Sequence, residues 1–477
     1  MKKYLFIFTA SLFFSVNCLA QEVFILDQEN LINEANQNAP TIDKIRNSFL
    51  AAQNAANKIE ERFSPQLESN FSRFNTNQDS FITYMPLVSP ISNFSIGVTK
   101  NFSGGINFGL YNILERQTYY GYGTDSKNAI AVKLSVDLYK DIFGSTSRAE
   151  IKSADLQKQI AQIQGEIDKN NFLINLRRIY FTLSFNEEAI AISEKLLDLS
   201  KIQDKEIKQR NKSGIADESD VARQSSQLSV KNFNIAILKN NRELLIRSLK
   251  ELLPSIAAKE VQIKTPDINA ETLWMQKMIS KIKEQKTPPK QYTSYNKIVD
   301  LTAKSYKEQR KITKKYDDLD LQLYSQYKQY GRDNSAGGSF KNTSSSAENS
   351  YEIGLQLKVP LGSAKSESRK TQEEIDKISL SKNREIVAKI ESYHTQTITN
   401  ILLLESALEF QKSDISSLEK VVAADKKKYD QARIALHDLI DDQNLYMQKK
   451  LGELGVKLTI ANQILDYTSI FNEFPLR

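Results

Sequence analysis

The chain is poor in the residues from which compact catalytic folds are built. One cysteine, Cys18, stands among 477 residues, so no disulfide can form within the chain and packing or assembly must stabilise it. Two histidines, His394 and His437, leave little material for metal binding or acid–base work; no third ligand accompanies His437 and Asp438, and both histidines read as surface or packing residues. No phosphate loop, metal-ligand cluster or nucleophile constellation is present, so the chain does not read as an enzyme and implies no cofactor. Past the first twenty residues no apolar run approaches the about 20 residues a spanning helix needs, so any passage through a membrane must use strands. Glycine and proline are few, at 16 and 10, and charged residues make up 26%, which suits long helices better than many tight loops. The formal charge of +7 is small for this length and its signs are interspersed, which argues against a nucleic-acid binder. The length accommodates two or three average domains.

The N-terminus has the three parts of a secretory leader. Lys2 and Lys3 give a positive start, Leu5 to Val16 is mostly apolar, and Cys18-Leu19-Ala20 offers small residues for cleavage before Gln21. Asn17 fits poorly with the alternative, a lipid anchor on Cys18. Removing residues 1–20 takes two lysines and no acid, leaving a formal charge of +5 and no thiol.

Helical periodicity dominates the remainder. Leu156, Ile160, Ile163, Ile167 and Ile174 are spaced four, three, four and seven apart with polar residues between them, a heptad-like seam. Residues 147–213 lack proline and predict a helix on the order of 100 Å long at about 1.5 Å per residue. Residues 221–253 predict a returning helix that Pro254 ends. Strand periodicity appears where Phe94, Ile96 and Val98, then Ile130, Val132, Leu134, Val136 and Leu138, and later Tyr351, Ile353, Leu355, Leu357 and Val359 alternate with polar or small residues. Residues 65–74 and 321–330 are weaker strand candidates. An apolar face alternating with a polar one fits a half-buried strand, and in an exported chain it also fits a barrel with lipid outside and water inside. The Ser, Asn and Gly of 331–350 predict an exposed loop, and the prolines of 254–295 an irregular linker.

The two halves repeat. Gly362 follows Gly144 by 218 positions, and Asp438 follows Asp220 by the same 218. An unchanged offset implies equal helices between strand end and distal turn, as two hairpins ending at one tip require.

Two stretches carry a family resemblance. Gly214-Ile215-Ala216-Asp217-Glu218-Ser219-Asp220-Val221 with Gln224 forms one, and Tyr429-Asp430-Gln431-Ala432 followed by Asp438-Leu439-Ile440-Asp441-Asp442-Gln443 the other. Pro65-Gln66-Leu67 follows an Ala- and Asn-rich helix at 51–61. In order, duplication and spacing the chain resembles the TolC-type outer-membrane efflux protein family over nearly its whole mature length. Ala432 stands where that family usually has glycine.

The resemblance implies a mainly α fold with a β part: a trimeric transmembrane β-barrel of four strands per chain, continued by a long periplasmic α-helical barrel. The corresponding organisation is a leader (1–20), an N-terminal segment and first helix (21–62), first-repeat strands (63–141), a long helical hairpin (142–253), a linker or equatorial region (254–295), a second leading helix (296–317), second-repeat strands (318–361), a second long hairpin (362–465) and a C-terminal segment (466–477). Residues 94–111 exceed what four strands need and read as an extra hairpin or an extension of the first pair. The implied function is a channel subunit for efflux or type I secretion in the outer membrane of a Gram-negative bacterium. Its partners would be two further copies, outer-membrane lipid, a periplasmic adaptor, and an inner-membrane efflux pump or ABC exporter. An exported coiled-coil scaffold or adaptor without a pore is the alternative.

Asp438 and Asp441, three apart on a helix, share a face. Three copies would set six carboxylates around an axis and favour cations, so these are the candidate pore constriction, against the blander reading of a solvated acidic face. Tyr429 falls on a family position that helps hold the tip closed, with Asp220 as partner, Ser219 adjoining and Arg433 one residue before the family's arginine. Asp220 and Ser219 equally suit ordinary helix capping. Gly214 and Ala432 mark the two distal turns. Phe102, Phe108, Tyr111, Tyr139, Phe143, Tyr324, Tyr327 and Tyr351 are candidate aromatic girdles.

Overall fold

A computed structural model describes residues 23–76, 78, 89–119, 123–264, 268–284, 294–316, 319–359, 364–431 and 433–471. The leader over 1–20, Ala432 and Pro266, Pro288 and Pro289 lie outside the described residues. In chain order the elements are β1 (Val23–Leu26), α1 (Gln28–Asn38), α2 (Pro40–Glu61), β2 (Gln66–Phe74), β3 (Ile91–Phe102), β4 (Ile106–Tyr119), β5 (Gly123–Asp137), α3 (Ser145–Lys212), α4 (Glu218–Leu252), β6 (Glu260–Ile263), α5 (Ile268–Glu284), α6 (Ser294–Tyr316), β7 (Asp320–Asp333), α7 (Ala336–Thr343), β8 (Asn349–Lys358), α8 (Ala364–Asp430) and α9 (Leu436–Ile470). The chain is mainly helical with a β part. Among the described residues no helix is long and apolar enough to cross a membrane.

The residues fall into two compact units. One contains 169–286 and 396–469 with the N-terminal residues to Lys44. Its core is a helical bundle: Leu176, Phe181 and Leu183 of α3, Trp274, Met275 and Met278 of α5, and Ile460, Ile464 and Tyr467 of α9 are buried. Phe181 stacks on Trp274 with ring centroids 5.4 Å apart. The linker expected to be irregular carries regular elements over its described residues. β6 pairs in parallel with β1, and α5 is a 17-residue helix whose apolar face supplies those core residues. Prolines at the margins of the stretch drew the reading towards loop, while the helical spacing of Trp274, Met278 and Ile282 between them decides its structure.

The other unit contains 45–168 and 287–395. It is built on one antiparallel sheet in the order β2-β3-β4-β5-β7-β8. The sheet thus has six strands where the resemblance implies four. The surplus is the hairpin β3–β4, because the Ser103-Gly104-Gly105 turn folds residues 91–119 back on themselves over twelve paired positions. β5 pairs with β7 from Ser126↔Asp333 to Asp137↔Gln322, which joins the two halves of the chain in a single sheet. The loop expected at 331–350 is shorter than its composition suggests. β7 runs on to Asp333, and α7 follows, with the Ser335 hydroxyl accepting from the Gly338 N–H at 3.1 Å as its N-cap.

Long helices leave the sheet through a tight junction. Asp141 caps α3 by accepting from the N–H groups of Thr146 (2.7 Å) and Ser147 (2.9 Å). Gly144 lies there with φ +72°, and a Cβ on it would sit 1.7 Å from the Ser103 carbonyl oxygen. Only glycine permits this approach, which seats the β3–β4 turn on the β5–α3 corner. Behind the junction, Lys152 of α3 pairs with Glu308 of α6 at 3.2 Å, and the Gln157 amide donates to the Ser305 hydroxyl at 2.9 Å.

α3 has 68 residues and α8 has 67, and α4 and α9 have 35 each. α8 ends 218 positions after α3, and α9 starts and ends 218 after α4.

Candidate functional site

The strand pairings sort every side chain of the sheet onto one of two faces. Leu67 opposes Val98, which opposes Leu110, which opposes Val132, which opposes Tyr327, which opposes Tyr351. Four residues along in one direction the sequence of partners is Phe94, Leu114 and Asn128, and two residues along in the other it is Phe108, Leu134, Ser325 and Ile353. One face of all six strands is therefore dominated by aliphatic and aromatic side chains, and most of them are exposed, Leu355 to 66%. Lys100 and Asn112 are the polar residues of β3 and β4 within this band; exposing the apolar remainder to water is unfavourable at about 25 cal/mol per Å², so this face is shaped for an apolar medium. The other face carries Glu68, Ser95, Thr99, Asn107, Lys133, Gln326, Glu352 and Gln356. There the Tyr111 hydroxyl donates to Glu68 at 3.2 Å, Thr99 donates to Glu68 at 3.1 Å, and the Lys133 ammonium lies 4.5 Å from the Tyr111 ring centre.

Two of the expected girdle aromatics belong to this polar face. Tyr111 lies over Gly97 and Tyr324 over Gly354, each filling the space its cross-strand glycine leaves. Phe102, Phe108, Tyr327 and Tyr351 are on the apolar face. Within the outer part of the apolar face, Asn112, opposite Ile96 and Ile130, hydrogen-bonds Asn128 at 3.0 Å, and Asn128 accepts from Thr343 of α7 at 3.0 Å, so these amides satisfy one another and α7 packs against them.

In the helical unit, each distal turn has the same local chemistry. After α3, Gly214 takes φ +69°, and α4 begins with a capping box in which the Asp220 carboxylate accepts from the Asp217 N–H at 3.4 Å. After α8, the Asp438 carboxylate accepts from the Ala435 N–H at 3.3 Å at the start of α9. Asp220 and Asp438 thus occupy equivalent cap positions, which is a physical reason for their shared offset. Asp220 also pairs with Arg223 at 3.5 Å. Among the described residues no hydrogen bond joins Tyr429 to Asp220 within one chain; Tyr429 is exposed on the last turn of α8, Ser219 is in the first turn of α4, and the Arg433 N–H bonds the Lys428 carbonyl at 2.8 Å.

Asp441 is part of a cluster that sequence reasoning missed. His437 Nε2 lies 3.0 Å from its carboxylate, and the Gln203 amide of α3 is 2.6 Å from His437 Nδ1 and 3.4 Å from Asp441. The signal was available: His437 and Asp441 are four apart and share a helix face. These contacts set the start of α9 beside α3, nine residues before α3 ends, so the two turns are offset by about 12 Å along the helices at 1.5 Å per residue. A second missed pair is Asp425 and Asp442. The Asp425 carboxylate is held low by the Lys428 ammonium at 2.8 Å and by its hydrogen bond with Asp442; Asp442 is pushed up by that same bond, by burial and by the charges of Asp425, Asp441 and Asp438. Lys231 of α4 donates to Asn444 of α9 at 2.8 Å, and burial pulls its ammonium below the usual lysine range. His394 in the sheet-bearing unit is buried with its ring edge-on to Phe471, which is the packing role expected of it.

The α4 surface exposes Val230, Phe233, Ile237 and Leu244, spaced three, four and seven apart, and α8 exposes Leu403 and Phe410, seven apart. These are seams of the kind that bury a partner helix.

No family model matches the sequence, and no curated protein does. Solved structures do match the fold over nearly all of its length. The CmeC outer-membrane channel of Campylobacter jejuni is 13% identical, with 93% of this chain and 85% of that chain covered at a TM-score of 0.64. The chain has an outer-membrane channel fold. CusC, a transmembrane-channel protein, is 12% identical with 94% and 93% covered at 0.60, and the outer-membrane protein VceC of Vibrio cholerae is 12% identical with 92% and 95% covered at 0.60. The TolC-type resemblance read from the sequence therefore holds for the fold, with the six-stranded sheet and the long hairpins as the parts of this channel fold that carry the exposed apolar surface.

Proposed function

We propose that this chain is one of three identical subunits of a duct in the outer membrane of a Gram-negative bacterium. The sheets close a barrel in lipid and the helices continue as a tube through the periplasm, where a periplasmic adaptor and an inner-membrane efflux pump or ABC exporter dock. The duct is passive; the pump supplies the energy. The observation that carries this reading is the sheet, with a predominantly apolar face broken by Lys100 and Asn112, a polar face and two open edges. In hydrocarbon an unpaired backbone group costs several kcal/mol, so such a sheet is stable in lipid only when copies close it. The matched helix lengths, read as an internal repeat, let both hairpins of each chain line one tube, and the seams on α4 and α8 are its contacts between copies.

Asp438 and Asp441 are proposed to line the narrow end, where His437 and Gln203 hold Asp441 in place. Tyr429, Asp220, Ser219 and Arg433 are proposed as the closing set between hairpins. The test is fractionation with semi-native electrophoresis. The protein is expected in the outer membrane as a heat-resistant or detergent-stable trimer that carbonate washing does not release; a monomer released in the periplasmic fraction would refute the reading.

A further inference from the structure

The hairpin β3–β4 has the properties of barrel wall and not of a cover folded over it. Four observations lead there. β3 and β4 are central strands, hydrogen-bonded on both sides within the order β2-β3-β4-β5. Their apolar side chains fall on the face shared by the other strands: Phe94, Ile96, Val98 and Phe102 on β3, and Ile106, Phe108, Leu110 and Leu114 on β4. From Phe94 to Phe102 and from Ile106 to Leu114 are nine residues each, the length with which a tilted strand crosses a bilayer, about 9–11 residues. The hairpin is also fixed at its inner end, where Gly105 and Gly144 bring the Ser103–Gly105 turn into backbone contact with Asp141 and the start of α3. A hairpin folded over the barrel or into its mouth would have none of these properties.

The edges left over are β2 and β8, and they are bare. Every residue of β2 is exposed, and Leu67 and Tyr351 reach 72% and 80%. Both edges put their apolar side chains on the common face, Leu67 and Phe71 on one and Tyr351, Ile353, Leu355 and Leu357 on the other. β2 runs away from the helix end of the sheet and β8 returns to it, so β8 of one copy meets β2 of the next antiparallel, like every other pair in the sheet.

We infer that the duct proposed above closes through β2–β8 pairing between copies into a barrel of six strands per chain, eighteen in the trimer. This rests on the trimeric duct reading. With strands about 4.8 Å apart and tilted about 40°, eighteen strands give a backbone diameter of about 36 Å, against about 24 Å for twelve. Inward side chains take about 5 Å from each wall, half the about 10 Å spacing of packed sheets, leaving an outer mouth of about 13 Å radius against about 7 Å. Barrels of that strand number leave an aqueous channel.

The experiment is polymer exclusion in planar bilayers, with polyethylene glycols added only on the barrel side of the inserted trimer. Polymers up to about 13 Å hydrodynamic radius are expected to enter and lower the conductance. Deleting Ile91–Tyr119 removes one whole hairpin and preserves the up-and-down order; it is expected to move the limit to about 7 Å. Cysteine pairs placed at Asn70 on β2 and along β8 at Ser350, Glu352 and Gln356 are expected to give covalent trimers on oxidation for at least one pair. Trimers that exclude polymers above about 7 Å in the unaltered protein would overturn the eighteen-strand barrel while leaving the duct intact. Absence of any trimer would overturn the duct itself. Should the deletion fail to assemble, the exclusion limit of the unaltered protein decides alone.

Discussion

Leu110→Arg puts a charge at the middle of the surface on which the account depends. Leu110 is 46% exposed in the single chain and lies between Val98 and Val132 on the apolar face. It is midway between Ile106 and Leu114, four residues from either end of the apolar run on β4. At about 3.4 Å per residue and a tilt of about 40°, it stands about 10 Å in from each margin, close to the middle of an apolar band about 25 Å tall. An arginine at that depth costs about 2–4 kcal/mol in each copy, hence about 6–12 kcal/mol in a trimer. On a water-facing sheet the same change would be worth within about 0.5 kcal/mol. The two readings therefore differ by at least about 10-fold in the folded fraction of each copy, since 1.4 kcal/mol is tenfold. Semi-native electrophoresis of outer-membrane fractions, together with urea titration of protein folded into lipid vesicles, measures this. Gln356→Arg, on the polar face of β8, is the control and is expected to assemble normally. Wild-type assembly of Leu110→Arg would refute the assignment of this face to lipid.

Other predictions concern the junction and the distal turns. Gly144→Ala forces a side chain towards the Ser103 carbonyl at a φ of +72°, and is expected to destabilise the β5–α3 corner by more than about 1 kcal/mol and lower the trimer yield. Asp438→Asn combined with Asp441→Asn is expected to lower the cation preference measured by reversal potential; unchanged selectivity would remove both from the constriction. For Asp442 the sign follows from its raised pKa: the folded chain holds that proton more tightly than the unfolded one, so stability from it is complete below the ordinary aspartate value of about 3.9 and is lost as pH rises through the raised value. Asp425, held low, gives stability that is lost only as pH falls below the ordinary range, so the two effects occupy different windows. Hydrogen-exchange protection at the α8–α9 turn, corrected for intrinsic rates, is expected to fall with rising pH above about 4. Asp442→Asn keeps a donor to Asp425 and should flatten that profile; an unaltered slope would sink the shared-proton explanation.

Much of the fold was legible because its elements are long and strongly periodic. The alternating runs at 94–98, 130–138 and 351–359 are strands or lead out of them, and 147–213 is one helix to within two residues at either end. The strand count was not legible in the same way. Alternation marks each of β3 and β4, but the turn between them is three small residues whose role depends on Gly144, which lies 40 positions after Gly104. α5 was hidden by the prolines around it. At the distal turns the offset of 218 pointed to Asp220 and Asp438, and capping explains both positions. The contacts among Gln203, His437 and Asp441, and between Asp425 and Asp442, depend on how separate helices pack, which no single-helix pattern encodes.

The most direct test is cryo-electron microscopy of the protein extracted from outer membranes in detergent. Three chains around one axis are expected to close a single β-barrel, with Val98, Leu110 and Leu355 turned to the detergent belt and Glu68 and Lys133 to the lumen. A particle in which those apolar side chains face inward, or in which β2 and β8 remain unpaired edges, would contradict it.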